Sequence, residues 1–429
     1  MKVNYIDLKY KPSKKDVICE FSLEPSKGTT FQKAASNVAL ESSIGTWTEL
    51  STMGKRVIKT LKPSVYYMNK KTNTIRVAYP NELFEPGNMS QILSSIAGNI
   101  FGMKSIKNLR LEDIQFPKKL VDSFKGPMFG IQGVRKLTKV KHRPLVGTIV
   151  KPKLGLNEKE HARVAYDAWS GGLDVVKDDE NLTSMSFNKF RKRVDETVKL
   201  KFKAEKETGE KKIYMANITA ETDEMKKRMD YLKKAGNEYF MIDVLTTGWA
   251  AVHTMRNYND KKKLVMHAHR ALHGALTRNP KHGISMLSLA KTYRLLGVDQ
   301  LHIGTAAVGK MHGSASEELN IESEIEDHHV NAKPTLHSLQ QDWYNKKPVF
   351  AVASGGLQPG MTQKLLKVMG KNIIAQYGGG CHGHPDGTYA GAKAIRQSAE
   401  ASMKGIPLTQ YAKTHEELNK AIKLWGVPK

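Results

Sequence analysis

The sequence is poor in cysteine, in aromatic residues and in long apolar runs. Its 429 residues contain two cysteines, Cys19 and Cys381, which excludes a disulfide framework and suits a reducing compartment. Its apolar stretches are strand-sized, too short to cross a bilayer core about 30 Å thick. Residues 1–16 lack the apolar core of a secretory signal. We therefore expect a cytoplasmic protein with no membrane partner.

Acidic side chains are also few, with 42 against 68 lysines and arginines, and the net charge is +26. Such a charge could bind nucleic acid, attract anionic substrates such as sugar phosphates, or form a solvated surface. The basic runs at residues 226–228 and 261–263 carry no interleaved aromatics, and no zinc or helix-turn-helix signature is present. We therefore favour the solvated surface and rank nucleic acid last.

The chain divides into two regions with different patterns. Residues 1–140 mix strand and helix patterns and predict an α+β domain, whereas residues 141–429 alternate short strands with amphipathic helices. Eight strand candidates fall in the second region, at residues 146–151, 174–177, 213–218, 239–244, 264–269, 300–303, 349–353 and 373–377. This alternation predicts an α/β fold with a (β/α)₈ TIM barrel. An open doubly wound sheet is the alternative, but its glycine-rich first turn is absent.

Most of the predicted strands end in polar, charged or glycine-rich residues. In a barrel, the loops that follow the strands surround the mouth, where active sites lie. These endings are Lys151 and Lys153, residues 177–180, His269 and Arg270, His302, residues 354–356, and residues 378–380. Their repetition predicts a single active-site mouth.

Lys177 is followed directly by Asp178, Asp179 and Glu180. Alternation along a strand directs Lys177 and Asp179 to the same side, and the next turn can bring Glu180 to them. Carboxylate oxygens suit Mg²⁺. A cationic lysine would be repelled there, so Lys177 should be neutral or converted to an anion such as a carbamate. A solvated acidic turn is the alternative, and the position at the mouth favours the metal.

Two glycine-rich loops, residues 354–356 and 378–380, follow the last two predicted strands. Their backbone N–H groups could bind phosphate, or the glycines could simply form tight turns. Residues 304–310 (GTAAVGK) predict a mobile lid carrying Lys310, with an ordinary surface loop as the alternative. Cys381, His382 and His384 do not match a zinc spacing.

Six segments together resemble the large subunit of ribulose-1,5-bisphosphate carboxylase/oxygenase (RuBisCO), and the resemblance covers residues 31–388. They are residues 41–47 (ESSIGTW), 98–102 (GNIFG), 147–156 (GTIVKPKLGL), 171–181 (GGLDVVKDDEN), 267–273 (HAHRALH) and 377–385 (YGGGCHGHP), and the short motif at residues 354–356 (SGG) belongs to the same resemblance. The short C-terminus, the compact N-terminal domain and a lid one residue longer than in the plant-type enzyme are most similar to the archaeal form III group.

The resemblance implies carboxylation of ribulose 1,5-bisphosphate to two molecules of 3-phosphoglycerate. Oxygenation is an expected side reaction, because a site for CO₂ has no buried hydrogen bond with which to reject O₂. An activator CO₂ would carbamylate Lys177, which would bind Mg²⁺ with Asp179 and Glu180 and remove the C3 proton of the substrate. Lys151 would protonate the product late in the reaction.

Further roles follow from the same resemblance. Lys153 would lie near the reacting carbons, and Lys310 would close over the incoming carboxylate. His269 and His302 would assist proton movement, and Arg270 with His302 would hold one phosphate. The remaining substrate contacts are implied for Glu41, Thr46, Trp47, Asn99, Ser354, Gly355, Gly356, Gly378 and Gly379.

The first four of these remaining residues would reach the site from a neighbouring subunit. The smallest complete unit would then be a dimer, and the assembly a homo-oligomer built from dimers without small subunits. Two other functions stay open: a RuBisCO-like sugar-phosphate enolase or isomerase without carboxylation, and a basic nucleic-acid-binding protein. The pathway, nucleotide salvage or a carbon-fixation cycle, also stays open.

Overall fold

The computed structural model describes residues 3–428, which form two compact units. Unit 1 consists of Met1–Gly126, Leu272–Leu296 and Asp327–Lys346, and unit 2 of Pro127–Ala271, Gly297–Glu326 and Lys347–Lys429. The domain boundary that the sequence suggests after residue 140 stays a prediction.

Unit 1 is built on a five-stranded sheet. In spatial order its strands are Gly283–Ile284, Ile106–Gln115, Val17–Pro25, Thr74–Tyr79 and Ser64–Asn69, antiparallel except for the first pair. Its helices are Phe31–Glu41, Lys55–Leu61, Met89–Ile96, Lys118–Ser123, His273–Thr277 and Met286–Leu296, and a small second sheet pairs His329–Val330 with Gln341–Asp342. The mixture of strands and helices predicted for residues 1–140 is confirmed.

Local chemistry explains where several of these elements begin. Thr30 caps the helix Phe31–Glu41, because its side chain accepts a hydrogen bond from the backbone N–H of Lys33 at 3.2 Å. Val17, Cys19 and Phe21 of the strand Val17–Pro25 are fully buried. Burial of this strand's apolar residues holds the centre of the sheet.

Unit 2 is a closed barrel of eight parallel strands. In chain order, the first to eighth barrel strands are Leu145–Ile149, Val175–Lys177, Ile213–Met215, Tyr239–Asp243, Val265–His269, Gln300–His302, Phe350–Ser354 and Ile373–Tyr377. The first strand pairs with the eighth, and Met241 closes the third against the fourth by hydrogen bonds to Ala216 and Ile218. All eight strand predictions and the barrel fold are confirmed.

One helix, Gly130–Thr138, precedes the first barrel strand, and helices follow most of the strands. The later helices are Glu158–Ser170, Phe190–Thr208, Thr222–Lys234, Val244–Thr247, Trp249–Tyr258, Ala315–Glu326, Thr362–Met369, Gly379–His382, Gly387–Met403, Leu408–Tyr411 and Glu416–Trp425. A capping box begins the helix Glu158–Ser170, where Asn157 and Glu160 exchange side-chain-to-backbone hydrogen bonds. Within residues 3–428 no helix has both the length and the apolar character that crossing a membrane requires.

The barrel core is filled by apolar side chains from alternate strand positions, among them Leu145, Val175, Ile213, Val265 and Phe350. Because all eight strands run parallel, their carboxyl ends meet at one rim. This rim carries the residues that the sequence singled out.

Candidate active site

Lys177 is the last residue of the second barrel strand, and its side chain is 1% exposed. Its Nζ donates to the carbonyl oxygen of Asp178 at 2.8 Å and lies 3.8 Å from Glu180 Oε2. Burial lowers the pKa of Lys177, although the charges of Glu180 and Asp179 oppose this. The local environment therefore favours the neutral amine more than water does.

Asp179 faces the same side and binds Lys151, which follows the first barrel strand. Lys151 Nζ donates to Asp179 Oδ2 at 2.6 Å, and the backbone N–H of Asn181 donates to Oδ1 at 3.1 Å. Burial alone would raise the pKa of Asp179, but these two hydrogen bonds lower it below the usual value. Asp179 is thus an ionised oxygen donor at the rim.

Glu180 lies among three basic side chains. Its Oε1 is 3.8 Å from Lys153 Nζ, and its Oε2 is 3.6 Å from His269 Nε2 as well as close to Lys177. Burial would raise the pKa of Glu180, but the charges of Lys177 and His269 leave it lowered. The turn after the second strand therefore brings Glu180 back towards Lys177, as the sequence predicted.

Asp178 points the other way and has a structural environment. Its carboxylate accepts hydrogen bonds from Arg193 Nε at 3.1 Å and Tyr214 OH at 2.8 Å, and lies 3.1 Å from His161 Nε2. Asp178 and Arg193 are both fully buried. This network anchors the first residue of the acidic run, so only the two carboxylates that follow it, Asp179 and Glu180, face the mouth.

A buried line of polar side chains crosses the fifth to seventh barrel strands. His302 Nδ1 is 2.7 Å from Ser354 Oγ, His302 Nε2 is 2.9 Å from His267 Nε2, and His267 Nδ1 is 2.9 Å from Gln300 Oε1. Burial lowers the pKa of His267 to about 3, and burial followed by the charge of His269 holds the pKa of His302 well below its usual range. Both rings are neutral near pH 7.

The fifth barrel strand ends in His269, which lies beside Asp243 at the end of the fourth strand. His269 Nδ1 lies 3.2 Å from Asp243 Oδ1, and the ring centres of His269 and His302 are 4.8 Å apart. Arg270 follows directly; burial lowers its pKa to about 10, and Glu318 opposes that shift. These contacts connect the carboxylate side of the mouth to the histidine side.

The predicted lid contacts the glycine-rich loop after the seventh strand. The backbone N–H of Lys310 donates to the carbonyl oxygen of Gly355 at 2.9 Å. A Cβ on Gly356 would lie 2.6 Å from Lys310 Cβ, so this approach requires glycine. The Lys310 side chain itself is exposed. The lid is thus packed at its base while its charged group is free to reach outward.

The loop after the eighth strand lies beside Lys151. A Cβ on Gly378 would be 3.5 Å from Lys151 Cε, whereas one on Gly379 would meet nothing within 4 Å. Gly379 begins the short helix Gly379–His382. The loop therefore leaves open space next to a predicted catalytic lysine.

Four predicted site residues belong to unit 1 and the others to unit 2. Glu41 is the last residue of the helix Phe31–Glu41, Asn99 begins a short 3₁₀ helix, and Thr46 and Trp47 lie in the segment between two helices. Trp47 is 90% exposed. So large an exposed aromatic surface is suited to contact with another molecule.

Three residues of the unit 2 site were missed by the sequence analysis: Asp243, His267 and Glu318. His267 and His269 alternate on one strand, and Asp243 ends a strand as the other site residues do. Both signals were available in the sequence. Glu318 carried no local signal, because its role depends on a contact with the lid across twelve residues.

The donor set at the rim fits a hard divalent cation only if Lys177 changes. Within residues 3–428 no group of three or more His, Cys, Asp or Glu side chains is placed to hold a metal. Asp179 and Glu180 supply two carboxylates, and a carbamate on the buried Lys177 would supply the third oxygen donor. The residues present fit Mg²⁺ on that condition.

Comparisons with known proteins cover the whole chain. Residues 4–120 match the family model "Ribulose bisphosphate carboxylase large chain, N-terminal domain", and residues 130–425 match the corresponding catalytic-domain model. Ribulose bisphosphate carboxylase of Methanosarcina barkeri is 54% identical over 99% of both chains. That of Methanocaldococcus jannaschii is 50% identical over 99% of this chain and all of the relative.

Solved structures agree with the sequence matches. The dimeric archaeal Rubisco of Hyperthermus butylicus has a TM-score of 0.94 at 47% identity and covers 99% of both chains. The octameric enzyme of Pyrococcus horikoshii, solved with sulfate ion, has a TM-score of 0.91 at 44% identity over 99% of this chain and 97% of that one. The chain therefore belongs to the ribulose bisphosphate carboxylase large-chain family and is an enzyme of the carboxy-lyase class.

Proposed function

We propose that the protein carboxylates ribulose 1,5-bisphosphate to two molecules of 3-phosphoglycerate, with oxygenation as a side reaction. The observation that carries this proposal is the buried Lys177 at the rim, beside Asp179 and Glu180. Lys151 is hydrogen-bonded to Asp179, and Lys153 and His269 lie within 3.8 Å of Glu180. The full-length similarity to enzymes named ribulose bisphosphate carboxylase supports the same reaction.

Activation by CO₂ and Mg²⁺ is part of the proposal. Lys177 would bind an activator CO₂ as a carbamate and hold Mg²⁺ together with Asp179 and Glu180. Burial supports this assignment, because it favours the neutral amine, the form that adds CO₂. When bound, the metal supplies Lewis-acid stabilisation to substrate oxygens on which negative charge develops.

The rest of the chain's site orients the substrate and moves protons. Arg270 and His302 would bind one phosphate, and the backbone of the two glycine-rich loops would bind the other end. Lys177 would take the C3 proton, Lys151 would return a proton late in the reaction, and the neutral His302 ring, in contact with Ser354 at 2.7 Å, can donate or accept one.

Lys310 would act after enolisation, since its charge is useful only once CO₂ or O₂ has added. Its exposed side chain, on a lid tethered to Gly355, is free to close over the new carboxylate. O₂ competes because a small apolar gas offers the site no polar group by which it could be rejected.

The active assembly is a homo-oligomer built from dimers, without small subunits. In it Glu41, Thr46, Trp47 and Asn99 of one chain would complete the site of its partner, with Glu41 pairing with Lys310. The exposure of Trp47 supports this, as do the dimeric and octameric states of the related archaeal enzymes. We also assign the chain to the archaeal form III group, on the strength of its archaeal relatives.

Labelled bicarbonate tests this function directly. Protein preincubated with CO₂ and Mg²⁺ and then given ribulose 1,5-bisphosphate should place the label in 3-phosphoglycerate. The same protein stripped with a chelator should place none, and added Mg²⁺ should restore incorporation. An activated enzyme that consumes the bisphosphate without incorporating label would favour the enolase or isomerase instead.

A further inference from the structure

A buried carboxylate lies against the lid and is not accounted for by the proposed reaction. Glu318, in the helix Ala315–Glu326, is 6% exposed. Its Oε2 accepts a hydrogen bond from the backbone N–H of Ala306 at 2.5 Å. Burial raises the pKa of Glu318, and the neighbouring backbone N–H groups of Ala306, Thr305 and Ala307, together with the charge of Arg270, oppose that shift. The carboxylate therefore faces three successive backbone N–H groups of the lid.

The lid backbone at this point is strained. Ala306 and Ala307 have φ angles of +47° and +61°, in the left-handed region that residues with a Cβ rarely adopt. Consecutive residues in this conformation direct their N–H groups to one side and form a concave anion-binding nest. A carboxylate in the nest compensates the strain, because charge-assisted hydrogen bonds are stronger than neutral ones.

Both ends of the lid are shaped around the same carboxylate. A Cβ on Gly304 would lie 2.1 Å from Glu318 Oε1, and a Cβ on Gly313 would lie 1.9 Å from it. No side chain fits at either position while Glu318 keeps this place. The carboxylate of Glu318 thus occupies the space beside Gly304, where the lid begins, and beside Gly313, three residues after Lys310.

The contact continues along the lid to Lys310. The carbonyl oxygen of Thr305 accepts a hydrogen bond from Val308 N at 3.0 Å, and Thr305 Oγ1 accepts one from Gly309 N at 2.9 Å. The next residue, Lys310, donates its N–H to Gly355. Hydrogen bonds therefore fix the lid backbone to Glu318 at Ala306, to Thr305 at residues 308 and 309, and to Gly355 at Lys310.

We propose that Glu318 is a positioning residue that clamps residues 305–307 in their left-handed turn and thereby sets the path of the lid to Lys310. Its effect on catalysis rests on the proposed function, since Lys310 matters only if CO₂ or O₂ adds to the substrate. Its effect on the conformation of the lid does not depend on the proposed function. The two parts can therefore be tested separately.

Hydrogen exchange of the lid amides tests the clamp without any substrate. Glu318→Gln keeps the side-chain volume but removes the charge, whereas Glu317→Gln makes the same change at the exposed neighbouring residue. We expect amides 305–307 to exchange about tenfold faster or more in Glu318→Gln, because hydrogen bonds to a charged group are lost. Glu317→Gln should match the unmodified protein.

Peptides from the third and eighth barrel strands report whether each variant is folded. If they lose protection in Glu318→Gln, the comparison moves to trypsin cleavage after the exposed Lys310 in Glu318→Asp, which keeps the charge but is one methylene too short to reach the nest. Faster cleavage there supports the clamp. Unchanged lid exchange in a folded Glu318→Gln, unchanged cleavage in Glu318→Asp, or an equal effect of Glu317→Gln overturns it.

Two catalytic rates, carboxylation and exchange of the substrate C3 proton, provide the second test. If Lys310 is displaced, Glu318→Gln should lower carboxylation several-fold while exchange of the substrate C3 proton with solvent falls less. Equal loss of both rates would show that Glu318 supports the whole site and not the lid. If the unmodified protein does not carboxylate ribulose 1,5-bisphosphate, the proposed function is refuted. The amide-exchange result would still show whether Glu318 clamps the lid.

Discussion

Each unit contains a buried lysine, and the two have different partners. In unit 1, Lys291 Nζ donates to Asp113 Oδ2 at 2.8 Å and to the carbonyl oxygen of Ile114 at 3.1 Å, and both charged side chains are fully buried. In unit 2, Lys177 is equally buried, but Glu180, a carboxylate facing it, is 3.8 Å away. Both lysines are buried. They differ in the distance to the carboxylate, which is 2.8 Å for Lys291 and 3.8 Å for Lys177.

A buried cation is costly unless an anion and hydrogen bonds compensate it. Asp113 gives Lys291 that compensation, so this pair joins the helix Met286–Leu296 to the strand Ile106–Gln115 as a structural element. The more distant carboxylate of Glu180 compensates the charge of Lys177 less well, and burial lowers the pKa of Lys177. The comparison teaches that the distance to the partner separates a structural buried lysine from one poised to react.

Replacing Lys177 should produce the largest effect on activity and a small effect on stability. Lys177→Met removes the proposed carbamate and base, so we expect carboxylation to fall by at least about 10⁴-fold. Stability should stay the same or rise, because an incompletely compensated buried charge is removed. Label incorporation and urea unfolding measure the two quantities. Substantial residual turnover would break the comparison, since Lys177 would then be a structural lysine too.

Lys291→Met is the matched variant and should show the opposite result. It leaves the carboxylate of Asp113 buried without its cation, which costs about 3–5 kcal/mol of unfolding free energy. Adding Asp113→Asn should recover part of this loss, because the uncompensated charge is gone. Urea unfolding of the single and double variants provides the measurement. A loss below about 1 kcal/mol for Lys291→Met would show that this pair does not stabilise the fold.

Much of the fold could be predicted because local pattern and architecture agree. The eight barrel strands are short, apolar and separated by helix-length segments, and each is found within a few residues of its predicted position. The helix Met286–Leu296 agrees with the predicted alternation of strands and helices in residues 141–429. Its place in unit 1 was not predictable, because Lys291 meets Asp113 across 178 residues of sequence.

The candidate site also combines features that the local sequence predicts with features that depend on distant contacts. Lys177, Asp179 and Glu180 lie within four consecutive positions, so alternation at the strand end and the turn after it were enough to bring them together in the prediction. The bond between His267 and His302 depends on the register of two strands, and the bond between Glu318 and Ala306 depends on how a loop folds back on a helix. Local periodicity carries neither kind of information.

Mixing two inactive variants sharpens the comparison by asking whether the two units act at one shared site. Asn99→Ala alters unit 1 and Lys177→Ala alters unit 2, and in the proposed dimer these residues serve the same site from different chains. Random mixing gives about half heterodimers with one intact site of two, so recovery should reach about a quarter of full activity. No recovery from demonstrably mixed dimers would mean that both residues act within one chain.

The smallest effect should come from a pair in unit 1, the partly exposed His337 and the buried Glu20, whose Nδ1 and Oε1 atoms are 2.7 Å apart. The hydrogen bond to Glu20 raises the pKa of His337, with Glu112 adding to the shift and Arg76 opposing it. A raised pKa means that the protonated ring stabilises the fold fully below about pH 6.5. That stability is lost as the pH rises through the folded-state value. Because water screens the pair, the contribution should be under about 1 kcal/mol.

Urea unfolding of the unmodified protein and of His337→Gln at pH 6 and pH 8 measures it. The difference between the two proteins should be larger at pH 6, and a larger difference at pH 8 would show that the neutral ring is the stabilising form.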